Sequence, residues 1–231
     1  MMTWSQLGLQ DSASSLMEEF IYFHDFTLLI LGLILSVVAL MLYFALPSKW
    51  VNKNLLEGQA LETFWTFMPA VVLVQLAIPS LMLLYLTEDL APSHLIYKVM
   101  GHQWYWTYEM KSDSHDQEIS CESYIVSAAN LAPHQPRLLS TDENLAIPVN
   151  VRSRILVSSN DVLHSWAIPA LGIKADAVPG RLNQMSLTVN RLGVFFGQCS
   201  EICGANHSFM PIVLEAKPVS EFFSWMDGHS A

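Results

Sequence analysis

Two stretches of this chain carry no charged side chain for about 20 residues each, which constrains its fold more than any other feature. They run from Phe26 to Leu46 and from Phe64 to Leu86. At about 1.5 Å per residue, a helix of that length crosses a hydrocarbon core of roughly 30 Å. Two buried helices of a soluble protein are the competing account, but such runs exceed what a core helix needs. Composition agrees with the membrane reading: 52% of the 231 residues are hydrophobic and only 14% are charged, against about 25% in soluble domains. Pro69 and Pro79 lie inside the second stretch, where a membrane bundle tolerates them. Gln75 is expected to face protein rather than lipid.

Charge orients the hairpin. Residues 1–25 hold Asp11, Glu18, Glu19 and Asp25 without a Lys or Arg, and the connector 47–63 holds Lys49 and Lys53. Short basic loops stay inside, so the connector is expected on the matrix or cytoplasmic side. The expected order is an external segment 1–25, spans 26–46 and 64–86 around the connector 47–63, and an external domain 87–231. The N-terminal segment has the opposite charge character to a targeting leader, so insertion without one is expected. The net charge of −10 argues against nucleic acid and suits a basic protein partner. Glu109, Asp113, Asp116, Glu118 and Glu122 fall in one short stretch, followed by Asp142, Glu143 and Asp161. On their own they read as a solvated face.

From Ser93 onward the pattern is β. Strands are predicted at His94–Met100, Gln103–Met110, Glu122–Ala128, Ile155–Ser159, Gln184–Val189, Gly193–Gln198 and Pro211–Ala216. Alternation of apolar and polar residues, as in Met185, Leu187 and Val189, marks half-buried strands. Pro133, Pro136, Pro148, Pro169 and Pro179-Gly180 punctuate them. Many short strands imply an all-β Greek-key sandwich or small barrel. Pro218 to Met226 is predicted to close the chain as a short helix.

The chemistry concentrates in Cys199-Ser-Glu-Ile-Cys-Gly-Ala-Asn-His207-Ser-Phe-Met210. Two thiols, an imidazole and a thioether share this segment, and His164 follows an earlier apolar strand. Soft thiolate and thioether ligands with imidazole suit copper. Two thiolates can bridge two copper ions, each completed by a His and a weaker axial group. Met210 offers one such group and the peptide carbonyl of Glu201 the other. A zinc site on Cys199, Cys203, His164 and His207 is a further possibility and leaves Met210 without a role. A Cys199–Cys203 disulfide explains neither His. A blue-copper site needs one Cys rather than two, and a c-type haem needs Cys-x-x-Cys-His. Cys121 is left over as a free thiol.

Several segments together resemble the cytochrome c oxidase subunit 2 family, in its mitochondrial form. They are Gly101-His-Gln-Trp-Tyr-Trp-Thr-Tyr-Glu109, Asp161-Val-Leu-His-Ser-Trp166, Pro179-Gly-Arg-Leu-Asn-Gln184 and Gly197 to Pro211, with Gln6 to Asp11 and Met17-Glu-Glu19 at the start. The resemblance covers nearly the whole chain. It implies a two-helix transmembrane hairpin followed by a cupredoxin-like domain, in the mitochondrial inner membrane, with both termini in the intermembrane space. It implies a dinuclear copper A centre on His164, Cys199, Glu201 (by its carbonyl), Cys203, His207 and Met210. It further implies a magnesium ion at the Glu201 side chain, shared with subunit 1. Trp104 then matches the residue through which cytochrome c delivers its electron. Glu62 matches a carboxylate at the mouth of a proton path. The expected role is one-electron relay from cytochrome c to the haem of subunit 1, where oxygen is reduced; other oxidase subunits and membrane lipid are the remaining partners. A membrane-tethered zinc domain used in assembly and a copper-delivery protein are the alternatives.

Overall fold

The structure is a computed structural model that describes residues 5–54, 56–90, 92–112 and 115–229, with side-chain environments for all of these except 111, 112, 115–118 and 229. It divides into two compact units: Met1–Glu18 with Thr87–Ala231, and Glu19–Leu86.

Two helices account for the uncharged stretches: α1 (Ser15–Ala45, 31 residues) and α2 (Gln59–Glu88, 30 residues). Both are long and apolar enough to cross a membrane, and only 6% of each apolar window is buried within the protein. A core helix of a soluble protein would be mostly buried, so this surface calls for lipid or partner helices. Pro69 and Pro79 sit inside α2 without ending it. Hydroxyls along the helices donate to carbonyls one turn back: Thr27 to Phe23, Ser36 to Gly32, Thr63 to Gln59 and Thr66 to Glu62. That leaves no hydroxyl of these four unsatisfied in an apolar medium.

Helix α1 starts well before its uncharged run, and its first turn belongs to the unit that holds residues 87–231. The Ser14 hydroxyl accepts the Met17 N–H at 3.0 Å, capping the helix, and donates to the Leu171 carbonyl at 2.7 Å. Ala13 N–H donates to the Ala170 carbonyl, and the Asn190 N–H donates to the Ala13 carbonyl, each at 2.8 Å. The Arg191 guanidinium lies over the Phe195 ring and donates to the Ser12 and Asp11 carbonyls. The N-terminal segment is thus part of the packed β unit.

That unit contains β1 (Leu95–His102), β2 (Tyr105–Ser112), β3 (His115–Ser123), β4 (Leu145–Pro148), β5 (Ser153–Ser159), β6 (His164–Ile168), β7 (Ile173–Ala177), β8 (Asn183–Leu187), β9 (Gly193–Gln198), β10 (Pro211–Lys217) and α3 (Val219–His229). The sheets run β3-β2-β1-β5-β8, β4-β10-β9 and β6-β7. β1 is parallel to β5 and antiparallel to β2. One core gathers side chains from every sheet: Tyr97, Val99, Trp106 and Ile155 from the first, Ile212 and Leu214 from the second, Trp166 and Ile168 from the third. Leu95, Tyr97 and Val99 point inward while Ile96, Lys98 and Met100 are half-exposed, the pleat of a strand with one buried face.

Four expectations about the strands need correction. The predicted strand Glu122–Ala128 is not formed: β3 ends at Ser123, and Ile125 makes only an isolated bridge to Thr141. The acidic stretch before it is the real strand, an edge strand anchored by Ile119 on its inner face. Edge strands carry charge without cost to the core, which masks their β character. β4, β6 and β7 were not predicted; they are four or five residues long, too short for a period to register. The strand predicted from Gln103 begins at Tyr105, so Trp104 lies in the turn before β2.

β9 and β6 come into backbone contact at Gly197, where an added Cβ would run into the Ala167 carbonyl oxygen. Gly197→Ala is therefore expected to force the strands apart and destabilise the full-length protein by about 1–3 kcal/mol or more. Thermal melting checks it; an unchanged midpoint would mean the contact yields freely.

Candidate metal centre

The hairpin register assembles most of the site. β9 and β10 are antiparallel with Gln198 opposite Pro211. The loop Cys199–Met210 therefore leaves and returns at neighbouring positions, which places Cys199 and Met210 side by side. The Ser200 N–H donates to the Ser165 carbonyl at 3.0 Å and ties this loop to β6 next to His164.

An imidazole stands beside each thiol of the loop, one from β6 and one from the loop itself. His164 Nδ1 lies 3.9 Å from Cys199 Sγ, and His207 Nδ1 lies 3.5 Å from Cys203 Sγ. The ligand atoms of His164, Cys199 and Cys203 all fall within 4.8 Å of one another. The Met210 thioether is 3.5 Å from Cys203 Sγ, and the Glu201 carbonyl oxygen is 3.3 Å from Cys199 Sγ. His164, Cys199, Cys203 and Met210 are buried, while His207 and Glu201 are half-exposed. The six positions expected from the sequence are thus brought together. The set pairs off as two thiols flanked by two imidazoles, with a thioether at one and a carbonyl at the other.

The electrostatics fit a cation. Both cysteines are free thiols. Burial opposes ionisation of Cys199, but hydrogen bonds with His164 and with backbone at Ser165 and Glu201 outweigh it and bring its pKa down. Burial and then the neighbouring Cys199 thiolate push Cys203 the other way. Two thiolates this close both persist only with positive charge between them. The donor set of two thiolates, two imidazoles and a thioether matches soft copper, whereas a zinc site of two Cys and two His leaves Met210 and the carbonyl unused.

Asp161 supports His164 from behind. Its carboxylate accepts His164 Nε2–H at 2.9 Å, the Val162 N–H at 2.6 Å and the Gln103 N–H at 2.6 Å. Burial would raise the Asp161 pKa, but these donors, His164 first, hold it below the usual carboxylate range. Burial likewise opposes the charged form of His164, and the bonds to Cys199 and Asp161 reverse that.

The aromatic residues divide sharply. Trp106 is fully buried, donates to the Met210 carbonyl at 3.3 Å and meets the His164 ring edge-on at 5.8 Å. Trp104 is half-buried in the preceding turn, and its indole sits where a Cβ on Gly204 would be 3.2 Å away. The neighbouring Gln103 amide donates to the Cys203 carbonyl at 2.8 Å. Sequence reasoning missed Asp161, Gln103, Trp106 and Gly101 as supports of the site. The i, i+3 spacing of Asp161 and His164 was the available signal, but it was read as surface charge.

The remaining expectations scatter. Glu62 is half-exposed in the first turn of α2, within the helical unit. Among the acids, Glu109 pairs with Lys98 at 2.8 Å, Glu122 accepts the Tyr124 hydroxyl and Asp142 accepts the Tyr124 and Glu143 N–H groups. Asp113 and the side chains of Asp116 and Glu118 lie outside the described residues. Cys121 stands apart from the cluster, its thiol pushed up to about 11 by burial and then by Glu143 and Asp142.

Known proteins resemble this chain in sequence along its whole length and in structure over its β unit. Residues 2–83 match the family described as cytochrome C oxidase subunit II, transmembrane domain, and residues 95–217 match its periplasmic domain. The cytochrome c oxidase subunit 2 proteins of Drosophila yakuba and Drosophila simulans are each 48% identical over 231 residues, covering all of both chains. The crystal structure of the periplasmic domain of subunit II of the Bradyrhizobium japonicum cytochrome oxidase is 38% identical, with a TM-score of 0.55, covering 61% of this chain and 96% of that one. A second such structure, 37% identical with a TM-score of 0.52, covers 62% of this chain and 94% of that one; it captures the domain in a mixed disulfide with a thioredoxin-like protein.

Proposed function

We propose, from the premise that this chain belongs to the cytochrome c oxidase subunit II family, a specific division of labour among its residues. The chain is the electron-transfer subunit of that oxidase, a membrane protein with two transmembrane helices. In our reading His164, Cys199, Glu201 by its carbonyl, Cys203, His207 and Met210 would hold dinuclear copper A, which would supply a one-electron acceptor and donor at this end of the β unit.

The residues around it do the rest. Burial of His164, Cys199, Cys203 and Met210 excludes water, so the ligands cannot rearrange easily between oxidation states. Trp104, at the half-exposed turn against Gly204, is the aromatic group through which an electron from cytochrome c passes. The acids of the β unit attract that basic partner at long range. The half-exposed Glu201 side chain serves a magnesium ion shared with subunit 1, whose haem takes the electron onward. Glu62, low in α2, opens a proton path. The basic connector puts both termini and the β unit in the intermembrane space of mitochondria.

The observation that carries this reading is the pair of buried thiols in one loop with an imidazole beside each, His164 from β6 and His207 from the loop itself. Metal analysis and electron paramagnetic resonance on the assembled oxidase test it. Copper beyond that of subunit 1, at two ions per chain, and a mixed-valence signal are expected, and Cys199→Ser should abolish that signal. A single copper, or zinc, at this site would end the dinuclear assignment.

A further inference from the structure

Asp161 was expected to be one acid among several on a solvated face. Its geometry is different. One carboxylate oxygen accepts His164 Nε2–H and the Val162 N–H, and the other accepts the Gln103 N–H. The imidazole it holds is fully buried, whereas the carboxylate itself is 32% exposed. Gln103 in turn donates its side-chain amide to the Cys203 carbonyl and precedes Trp104. A single carboxylate therefore joins the strand that bears the first histidine, the turn that bears the aromatic residue and, through Gln103, the loop that bears the thiols.

We propose that Asp161 is a positioning residue: it fixes His164 as the tautomer whose Nδ1 faces Cys199 and holds the Trp104 turn in register with the same ligand. This rests on the copper reading above. The physical basis is that an imidazole donating Nε2–H to a carboxylate keeps Nδ1 free as a ligand and gains basicity there. An amide at this position offers one acceptor oxygen where the carboxylate offers two. Either His164 Nε2–H or the Gln103 N–H then faces another donor.

Asp161→Asn in the assembled oxidase tests the proposal. It should shift the visible copper bands and the hyperfine pattern of the spin signal, and weaken copper retention against a chelator by about 10–100-fold. Asp142→Asn removes the same charge at an exposed carboxylate that accepts the Tyr124 and Glu143 N–H groups, and should leave both unchanged. Wild-type spectra and copper retention in Asp161→Asn, or equal changes in Asp142→Asn, would make Asp161 a surface charge and overturn the proposal. A measurement on the wild-type oxidase does not depend on assembly of a variant. The Nε2–H proton of buried His164 should exchange with deuterium far more slowly than that of half-exposed His207, and equal exchange would also overturn the proposal. Failure of the copper reading itself is recognised separately, from the metal content of the wild-type protein.

Discussion

Trp104→Ala should leave the copper signal and the melting midpoint of the oxidase nearly unchanged while slowing reduction of the site by cytochrome c about 10²-fold, the scale on which lost alignment of reacting groups acts. The reason is its place in the fold. Trp104 lies in the turn between β1 and β2, half-buried, against Gly204 in the thiol-bearing loop. Among the described residues its buried Nε1 has no hydrogen-bond partner, so truncation breaks no such bond there. Its removal costs less than the about 3–5 kcal/mol of a core aromatic. Trp106 is the contrast: fully buried, bonded to the Met210 carbonyl and packed on His164, it should lose both fold and copper when cut to Ala. The measurements are flash-initiated reduction kinetics beside a melting curve. Wild-type electron uptake in a folded, copper-loaded Trp104→Ala oxidase would remove Trp104 from the path.

Gly101→Ala should have the opposite signature, losing copper while most of the β unit stays folded. A Cβ on Gly101 would lie 2.8 Å from Cδ2 of His164, 3.0 Å from Cγ and 3.1 Å from Cβ. The strand side cannot give way. Gly101 is paired on both flanks, with Trp106 of β2 and Ser159 of β5. The imidazole is enclosed and held by Asp161. The methyl group therefore drives the ring off its position beside Cys199, and the mixed-valence signal should disappear. Gly101 does not need the left-handed backbone region, so strain of that kind does not contribute. A full complement of copper with wild-type hyperfine structure in Gly101→Ala would show that the ring has room the geometry denies it.

The charge argument about docking changes in light of these contacts. Neutralising Asp161 was a natural way to probe attraction of cytochrome c, but the same carboxylate holds His164 and the Trp104 turn. Exposed acids such as Asp142 are the clean probes. The two effects separate by salt, since screening at about 0.15 M weakens long-range attraction but leaves a buried hydrogen bond in place.

Residue type and spacing alone determined a good deal. The two uncharged runs had only one physical use at their length, and α1 and α2 occupy them. The soft donors between Cys199 and Met210 are close in sequence, so a single hairpin loop suffices to gather them, and His164 was recognisable because imidazole completes that set. What the sequence left undecided depends on contacts between distant segments. The charged edge strand β3 and the short β6 and β7 owe their structure to pairing rather than local pattern. Trp104 and Trp106 share a motif, yet one lies in a turn and the other in the core, because β2 starts between them. Gly101 looks like any turn glycine until β1 is laid under His164. Asp161 reads as surface charge until folding brings Gln103 and His164 to its two oxygens. Periodicity and donor chemistry are local properties and survive in the unfolded chain; space, burial and shared hydrogen bonds exist only once the strands have met.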